Sequence, residues 1–375
     1  MNSPQLRQEC AEKLLAAESA AAKLTAFLGI DGFVDEIIHV VGRRDDAEHF
    51  ERISTMSQFA ERIAAAAGKS TNMELATQQI KLGGNGPIMA NAMASFGVKV
   101  TYLGSLGYPK MHPIFDEFAQ RVEAHTIGEA GHTDALEFDD AKLLLGKMTQ
   151  LKEVTWSNIQ SRFGREKFAT QFAGADLVGF VNWTMIPYMS DLWDALLSEL
   201  CPSFSGPRRK IFFDLADPEK RTAADILRAL DLIQRFQKHF DVILGLNEKE
   251  GFEIAKVMGL RTKVNSPDEL LALAGEINRS LQLNTLVIHP VTYAIAVSSG
   301  DAQIITGPFV GKPLITTGAG DHFNSGFCLG KLLGFNNAMS ILTGVTTSGF
   351  YVRTAQSPTL RQLAEMMQNW PSKEV

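Results

Sequence analysis

The 375-residue chain is poor in cysteine. Cys10, Cys201 and Cys328 are too few and too widely spaced for a disulfide framework or a clustered thiolate metal site, so a reducing compartment is expected. Tryptophan and tyrosine are also scarce, at 4 and 5 residues, and Trp156 and Trp183 lie in no repeated basic and aromatic pattern of the kind that stacks bases. Positive charge is not in excess: 36 Lys plus Arg against 42 Asp plus Glu leave a formal charge of −6, which supplies no general attraction to nucleic acid. No apolar run reaches the roughly eighteen residues that suggest a membrane span. The opening segment interrupts its apolar residues with Arg7, Glu9, Glu12, Lys13, Glu18 and Lys23, which leaves no signal-peptide core. These absences point to a cytoplasmic protein with neither a membrane nor a nucleic-acid partner. The histidines, among them His39, His49, His112, His125 and His132, lack compact metal-ligand spacing, so no permanent protein-held metal is expected.

What is present is enough apolar residue, 45%, to fill a sizeable core. Continuous apolar runs at 24–30, 98–104, 176–183, 210–216 and 241–247 read as strands buried on both faces. Between several of them lie helical patterns, at 225–236 and from Asn85 to Phe96, with Pro87 in a first turn and Gly97 suited to a helix end. Strands separated by amphipathic crossovers predict a three-layer α/β/α fold with a mostly parallel sheet. Residues 1–23 read as a helical extension whose apolar face either covers its own domain or supports a homodimer. The main domain spans 24–360, the charged or polar segments 36–52 and 112–142 read as a small lid or rim, and 361–375 as a tail.

The segment ITTGAGDHFNSGFCLGKLLGF, 315–335, is the most informative. Gly318, Ala319 and Gly320 form a small-residue turn into a helix, where first-turn amides converge to make an anion hole. Asp321 stands at its edge, suited either to cap the helix or to accept a proton from an alcohol that attacks a phosphoryl group. Together with GGNGPIMANAMASFGVKVTYLGSLG at 83–107, this segment resembles the ribokinase-like, or PfkB, carbohydrate kinase family over residues 24–360. The resemblance implies phosphoryl transfer from ATP, with Mg2+, to a hydroxyl of a small sugar or sugar-like substrate, Asp321 being the general base. A nucleoside acceptor, or a noncatalytic protein that binds nucleotide and sugar, are the alternatives.

Further matches assign further roles by resemblance. Asn247 and Glu250 in LNEKE look like the family's Asn-x-x-Glu element, which organises magnesium and phosphate-bound water, although the same residues also suit a helix cap. Asp31 and Asp35 in GIDGFVDEI are candidates to hold substrate hydroxyls, and Gly83 with Gly84 resembles the substrate-side glycine pair. Ile88 stands where the family's glycine-pair element has Asn, leaving Asn85 and Asn91 as neighbouring candidates. Ile315 replaces an aspartate associated in some members with a monovalent cation, so potassium dependence is not carried over. The stretch 287–297 lacks the usual Thr-x-Gly-x-x-Gly pattern. Arg221, with Asp214 and Asp217, is a candidate phosphate contact or a surface pair. Arg43 and Arg44 suit either a basic clamp or a solvated turn.

Overall fold

The computed structural model describes residues 2–371. Its strands are β1 (Thr25–Ile30), β2 (Phe33–Arg44), β3 (Phe50–Arg52), β4 (Leu75–Gly83), β5 (Lys99–Gly104), β6 (Glu123–Thr126), β7 (Gly131–Glu137), β8 (Lys142–Lys147), β9 (Leu177–Phe180), β10 (Arg209–Asp214), β11 (Phe240–Leu246), β12 (Thr285–Ile288), β13 (Tyr293–Ser298) and β14 (Asp301–Thr306). The large sheet runs β14-β13-β12-β11-β10-β9-β1-β5-β6. From β12 through β6 it is parallel, and β13 and β14 close one edge as an antiparallel hairpin. The five continuous apolar runs become β1, β5, β9, β10 and β11 because a parallel strand covered on both faces has no polar side to display.

Alternate side chains of those strands feed two separate cores. In β11, Val242, Leu244 and Leu246 pack with the helices Met189–Glu199, Ala223–Phe236 and Pro267–Leu281. Ile243 faces the opposite core with the helices Asn85–Ser95, Ala319–Leu332 and Asn337–Thr354. The expected three-layer α/β/α architecture is therefore the one adopted. Thr222 caps the 223–236 helix by accepting from Asp225 N at 3.1 Å, and Gly97 ends the Asn85–Ser95 helix region with φ of 89°.

A second sheet is built around the long strand β2. β4 pairs with it antiparallel over Phe33–Val40, β7 parallel over Phe33–Ile38, and β3 with its far end, while β8 pairs with β7. Ile38, Val40, Ile53, Phe59, Leu136 and Phe138 form its own small core. Segment 36–52 lies within β2, β3 and their turn. Segment 112–142 divides: β7 joins the small sheet, whereas β6 is the parallel edge strand of the large one. Arg43 pairs with Asp45 at 3.1 Å and Arg44 with Glu74, so both belong to a solvated turn and neither lines a cavity.

Of residues 361–375, read from the sequence as a tail, 361–368 belong to the helix Leu360–Gln368, which packs against the N-terminal helix Pro4–Ala16, and 372–375 lie outside the described residues. Cys10, Ala11 and Leu14 have no exposed surface and share a core with Leu363, Ala364 and Met367. The apolar face of the N-terminal helix therefore covers its own domain and is not left open to a second copy of the chain. Leu14→Ala is expected to lower stability by about 2–5 kcal/mol, as for a buried leucine that leaves a cavity. Urea unfolding followed by circular dichroism checks this, and a change under about 0.5 kcal/mol, typical of an exposed site, would mean that the helix is not part of the core.

Candidate functional site

The chemistry-bearing residues collect where parallel strands end. Asp31 follows β1, Asn182 follows β9, Asp214 ends β10, Asn247 follows β11 and His289 follows β12. All these strands run the same way, so their carboxyl ends open onto one crevice, where α/β sheets place ligands.

Asp31 is completely buried, and its carboxylate is a junction rather than a substrate contact. It accepts from Asn85 N at 3.0 Å, Gly86 N at 2.8 Å and Asn182 Nδ2 at 2.8 Å, while Tyr102 Oη, 3.2 Å from Oδ1, shares its one proton with the Asp31 carbonyl at 2.7 Å. Engaged by these donors and lining neither of the cavities described below, Asp31 is corrected from a substrate contact. Its negative charge instead sits at the first turn of the Asn85–Ser95 helix, where it is favourable. Gly86 is required there, because an added Cβ would lie 2.6 Å from Asp31 Oδ1 and 2.2 Å from Tyr102 Oη.

Asp35 does line a cavity, of about 270 Å³, with Lys81, Gly84, Asn85, Ile88, Asn182, Gly318 and Asp321. Burial raises its pKa, while the Thr133 side chain hydrogen-bonds to it. Gly83 lies beside this carboxylate rather than in the cavity wall. A Cβ at position 83 would fall 2.2 Å from Asp35 Oδ2, so the missing side chain makes room for Asp35 itself. Asn85 reaches across and donates from Nδ2 to Asp321 Oδ1 at 3.0 Å. Asn91 is elsewhere: it donates to Ser357 Oγ at 3.0 Å and accepts from Arg121 at 3.0 Å, which corrects its assignment to the acceptor side.

The turn at 318–320 stands between this cavity and a second one. The second, about 400 Å³, is lined by Ala319 and Gly320 together with Asn247, His289, Phe309, Val345 and other mostly apolar residues. Gly318, at φ of 89°, caps the helix Ala319–Leu332. Ala319 N donates to Thr316 O at 3.1 Å, so this amide is already used, a correction to the three-amide anion hole. Among the described residues, no protein acceptor is paired with the Gly318 or Gly320 amide.

Asp321 is buried, and its pKa is pushed up to about 8, first by desolvation and then by the charges of Asp31 and Glu250 against the opposing Asn85 hydrogen bond. Asp214 is raised well above the usual carboxylate range by burial and by Glu250 and Asp321. Glu250 forms a capping box with Asn247. Asn247 Oδ1 accepts from Glu250 N at 2.9 Å, Glu250 Oε2 accepts from Asn247 N at 2.8 Å, and Glu250 Oε1 accepts from Asp217 N at 2.9 Å. Both Glu250 oxygens are thus engaged, leaving the buried charge near the crevice without a direct ligand position. Among the described residues no three His, Cys, Asp or Glu side chains converge on a metal position. Mutually repelling buried carboxylates with no cationic partner fit a divalent cation that arrives on an anionic ligand and is met through water, rather than one caged by the protein.

Arg221 is a strut. Its guanidinium donates to the carbonyls of Thr184 at 3.0 Å and Ile186 at 2.7 Å and lies over the Trp183 ring, so it is corrected from a phosphate contact. Sequence reading passed over two site residues. Asn182 has a left-handed φ of 60° and, besides holding Asp31, keeps a buried amide oxygen with no partner while lining the acceptor cavity. His289 packs on Phe323 in the wall of the second cavity, with centroids 4.7 Å apart and the rings tilted by 34°, and burial lowers its pKa to about 4. Asn182 falls inside the run 176–183 read as a strand, and no strand is read ahead of His289, so local pattern carries no signal for either.

A carboxyl whose pKa is raised by folding contributes stability below its unfolded pKa, and that contribution is lost as pH climbs towards the folded value. Asp321→Asn is therefore expected to raise the thermal midpoint relative to the parent progressively between about pH 4 and about pH 8, with a plateau above. Scanning calorimetry across that range checks it, and a pH-independent difference would mean that Asp321 is not shifted.

The chain matches the model for prokaryotic ketohexokinase over residues 5–370. It is 29% identical to the ketohexokinase of Haloferax volcanii over 337 residues, covering 89% of this chain and 88% of that one. A phosphofructokinase-2 variant from Escherichia coli shares the fold at a TM-score of 0.64 and 14% identity, over 92% of this chain and 98% of the other. The ribokinase of Arabidopsis thaliana, solved with ribose and ATP, does so at 0.62 and 13% identity over the same shares. With this match spanning both ends of the described chain, the protein belongs to the prokaryotic ketohexokinase family and is an ATP-dependent carbohydrate kinase of ribokinase-like fold.

Proposed function

We propose that the protein transfers the terminal phosphoryl group of ATP to a hydroxyl of a ketohexose held in the smaller cavity, with Asp321 as general base. The carrying observation is that the helix start at 318–321 contributes to both cavities, Gly318 and Asp321 to one, Ala319 and Gly320 to the other. Nucleotide in the apolar cavity and sugar in the polar one would then meet at the same turn. The small sheet, which supplies Asp35, Thr133 and Leu144 to the sugar side, acts as a lid in this reading.

Asp35 and the unpartnered Asn182 Oδ1 accept hydrogen bonds from acceptor hydroxyls and fix which one faces Asp321. As that oxygen attacks phosphorus, its proton passes to Asp321, the new O–P bond forms and the bond to the ADP leaving oxygen breaks. The Gly318 and Gly320 amides donate to the phosphoryl oxygens, whose charge grows in the transition state. Mg2+, when bound with the nucleotide near Asn247 and Glu250, supplies charge neutralisation on the phosphates. The Haloferax volcanii relative favours a ketohexose over other acceptors, and the modest 270 Å³ cavity favours a monosaccharide over a nucleoside.

The test is ADP release and a one-phosphate mass gain with Mg2+, ATP and a panel of ketohexoses, aldoses and nucleosides. Turnover restricted to ketohexoses is expected, and preferential nucleoside turnover would reject the acceptor assignment. Asp321→Asn is expected to lower kcat by about 10²–10⁴ with acceptor KM little changed. An acid limb is expected in the profile of acceptor kcat/KM at saturating Mg2+ and ATP, lying below the free-protein value of about 8 because a nearby cation favours the carboxylate. Gly83→Ala displaces the Asp35 carboxylate and is expected to raise acceptor KM about tenfold or more, a loss of roughly 1.4 kcal/mol or more of binding, while nucleotide KM stays within twofold. Equal changes in both constants would remove Asp35 from the sugar side.

A further inference from the structure

The small sheet turns a charged group to the sugar side that the reaction outlined above does not use. Pairing across this sheet sets Lys81 of β4 opposite Asp35 of β2, Asp35 opposite Thr133 of β7 and Thr133 opposite Gly146 of β8. Directly opposed residues share a face, and all four line the cavity of about 270 Å³, so they form one row along its wall. The next row on that face is apolar, with Ile37, Ala135 and Leu144. The alternate residues Glu36 and Asp134 belong to the opposite face, where each lies 3.1 Å from His132 Nε2.

Lys81, Lys142 and Lys220 all line this cavity, and they differ in what holds them. Lys142 pairs with Glu137 at 2.8 Å and Lys220 with Asp217 at 3.2 Å. The Lys81 ammonium has neither an ion pair nor a hydrogen bond among the described residues. The residue is half-buried, and its charge acts on Asp35 from a distance, opposing the rise that burial imposes on that carboxyl. The Thr133 side chain hydrogen-bonds to the same carboxylate, so Asp35 stands between two donors, one of them unused. Lys81 also borders a neighbouring cavity of about 780 Å³ but not the apolar one assigned to the nucleotide, which places it on the sugar side.

A sugar hydroxyl has one proton to give and two lone pairs to fill. Where water is excluded, a hydroxyl that donates to a carboxylate leaves its lone pairs without a donor unless the protein supplies one, and an ammonium stripped of water needs an oxygen in turn. Asp35 and Asn182 Oδ1 supply acceptors to the cavity, and the free ammonium is the matching donor. We propose that Lys81 is a substrate-binding residue: its ammonium donates to the sugar hydroxyl that donates to Asp35, so the cross-strand pair grips one hydroxyl from both sides and selects sugars that carry it. The pair is neutral overall and suits an uncharged sugar, whereas a phosphorylated one would set its charge against Asp35 and Asp321. The proposal rests on the function proposed above for the place of the sugar.

Lys81→Met keeps the reach of the side chain and removes its charge and its donors. With the ketohexose that the parent turns over best, sugar KM is expected to rise about ten- to a hundredfold, the worth of a hydrogen bond to a charged group. In the same variant kcat is expected to stay within about threefold and nucleotide KM within about twofold of the parent. Titration calorimetry with a non-hydrolysable ATP analogue present then locates the contact through monodeoxy analogues of the sugar. For the analogue that lacks the gripped hydroxyl, parent and variant are expected to bind within about twofold of one another, while the other analogues keep the full difference. A loss of kcat at unchanged sugar KM would assign Lys81 to the transferring phosphoryl group, and a penalty equal for every analogue would mean that no single hydroxyl is held. Either result overturns the proposal. If the parent phosphorylates no ketohexose, the function proposed above fails, and calorimetry with each ketohexose decides on Lys81 alone: weaker binding by Lys81→Met upholds its role, and equal binding, or none by the parent, overturns it.

Discussion

The buried carboxylate of Asp31 ties together elements that the sequence keeps far apart. Through its four donors it joins the end of β1 to the start of the Asn85–Ser95 helix, to Asn182 after β9 and to Tyr102 of β5. A buried charge is tolerable only when such donors surround it, so the carboxylate and its neighbours specify one another. The same contacts set Asn85 against Asp321 and orient Asn182 at the smaller cavity. Both sides of the proposed reaction centre therefore inherit their positions from a residue that lines neither of the two cavities.

Around that junction the protein accumulates negative charge rather than neutralising it. Asp214 and Asp321 have raised pKa values because they are desolvated and because other carboxylates lie nearby, Glu250 among them. In the ligand-free molecule this is a cost to folding at neutral pH. In the proposed reaction the same shift would suit Asp321 to take up a proton, since a base matched to neutral conditions needs a carboxyl far above its ordinary pKa. Stability and proposed chemistry pull on the same side chain in opposite directions.

The departures from the family pattern have structural counterparts. Ile88, in place of an asparagine, lines both the smaller cavity and a neighbouring one of about 780 Å³, which also share Asp35, Lys81 and Thr317. Ile315 lines the larger of these, and the turn beside it accepts from the side chains of His322 and Tyr351. The helical termini, which sequence patterning left as an extension and a tail, instead form a packed pair that shares a core with the helices carrying this turn.

Much of the fold was legible in the order of residues. Apolar runs such as LTAFLGI become parallel strands because both faces of the sheet are covered and their side chains suit that burial, and the small residues of GAGD start a helix because only a compact turn admits its geometry. Asp35, Asn85, Gly84 and Asp321 stood out as candidates for the same local reason, each lying at the edge of a recognisable turn, and they line one cavity. Local pattern was silent on partners distant in sequence. Asp31 and Asp35 look alike in GIDGFVDEI, yet one is engaged by donors from three other elements and the other opens onto a cavity. Asn91 and Asn182 likewise take their meaning from Ser357 and Asp31. Periodicity and turn chemistry act over a few residues, so the sequence alone determined the elements and the reactive turn. Hydrogen-bond saturation and burial depend on groups brought together by the sheet, and only the tertiary structure decided which side chains were left free to meet a substrate.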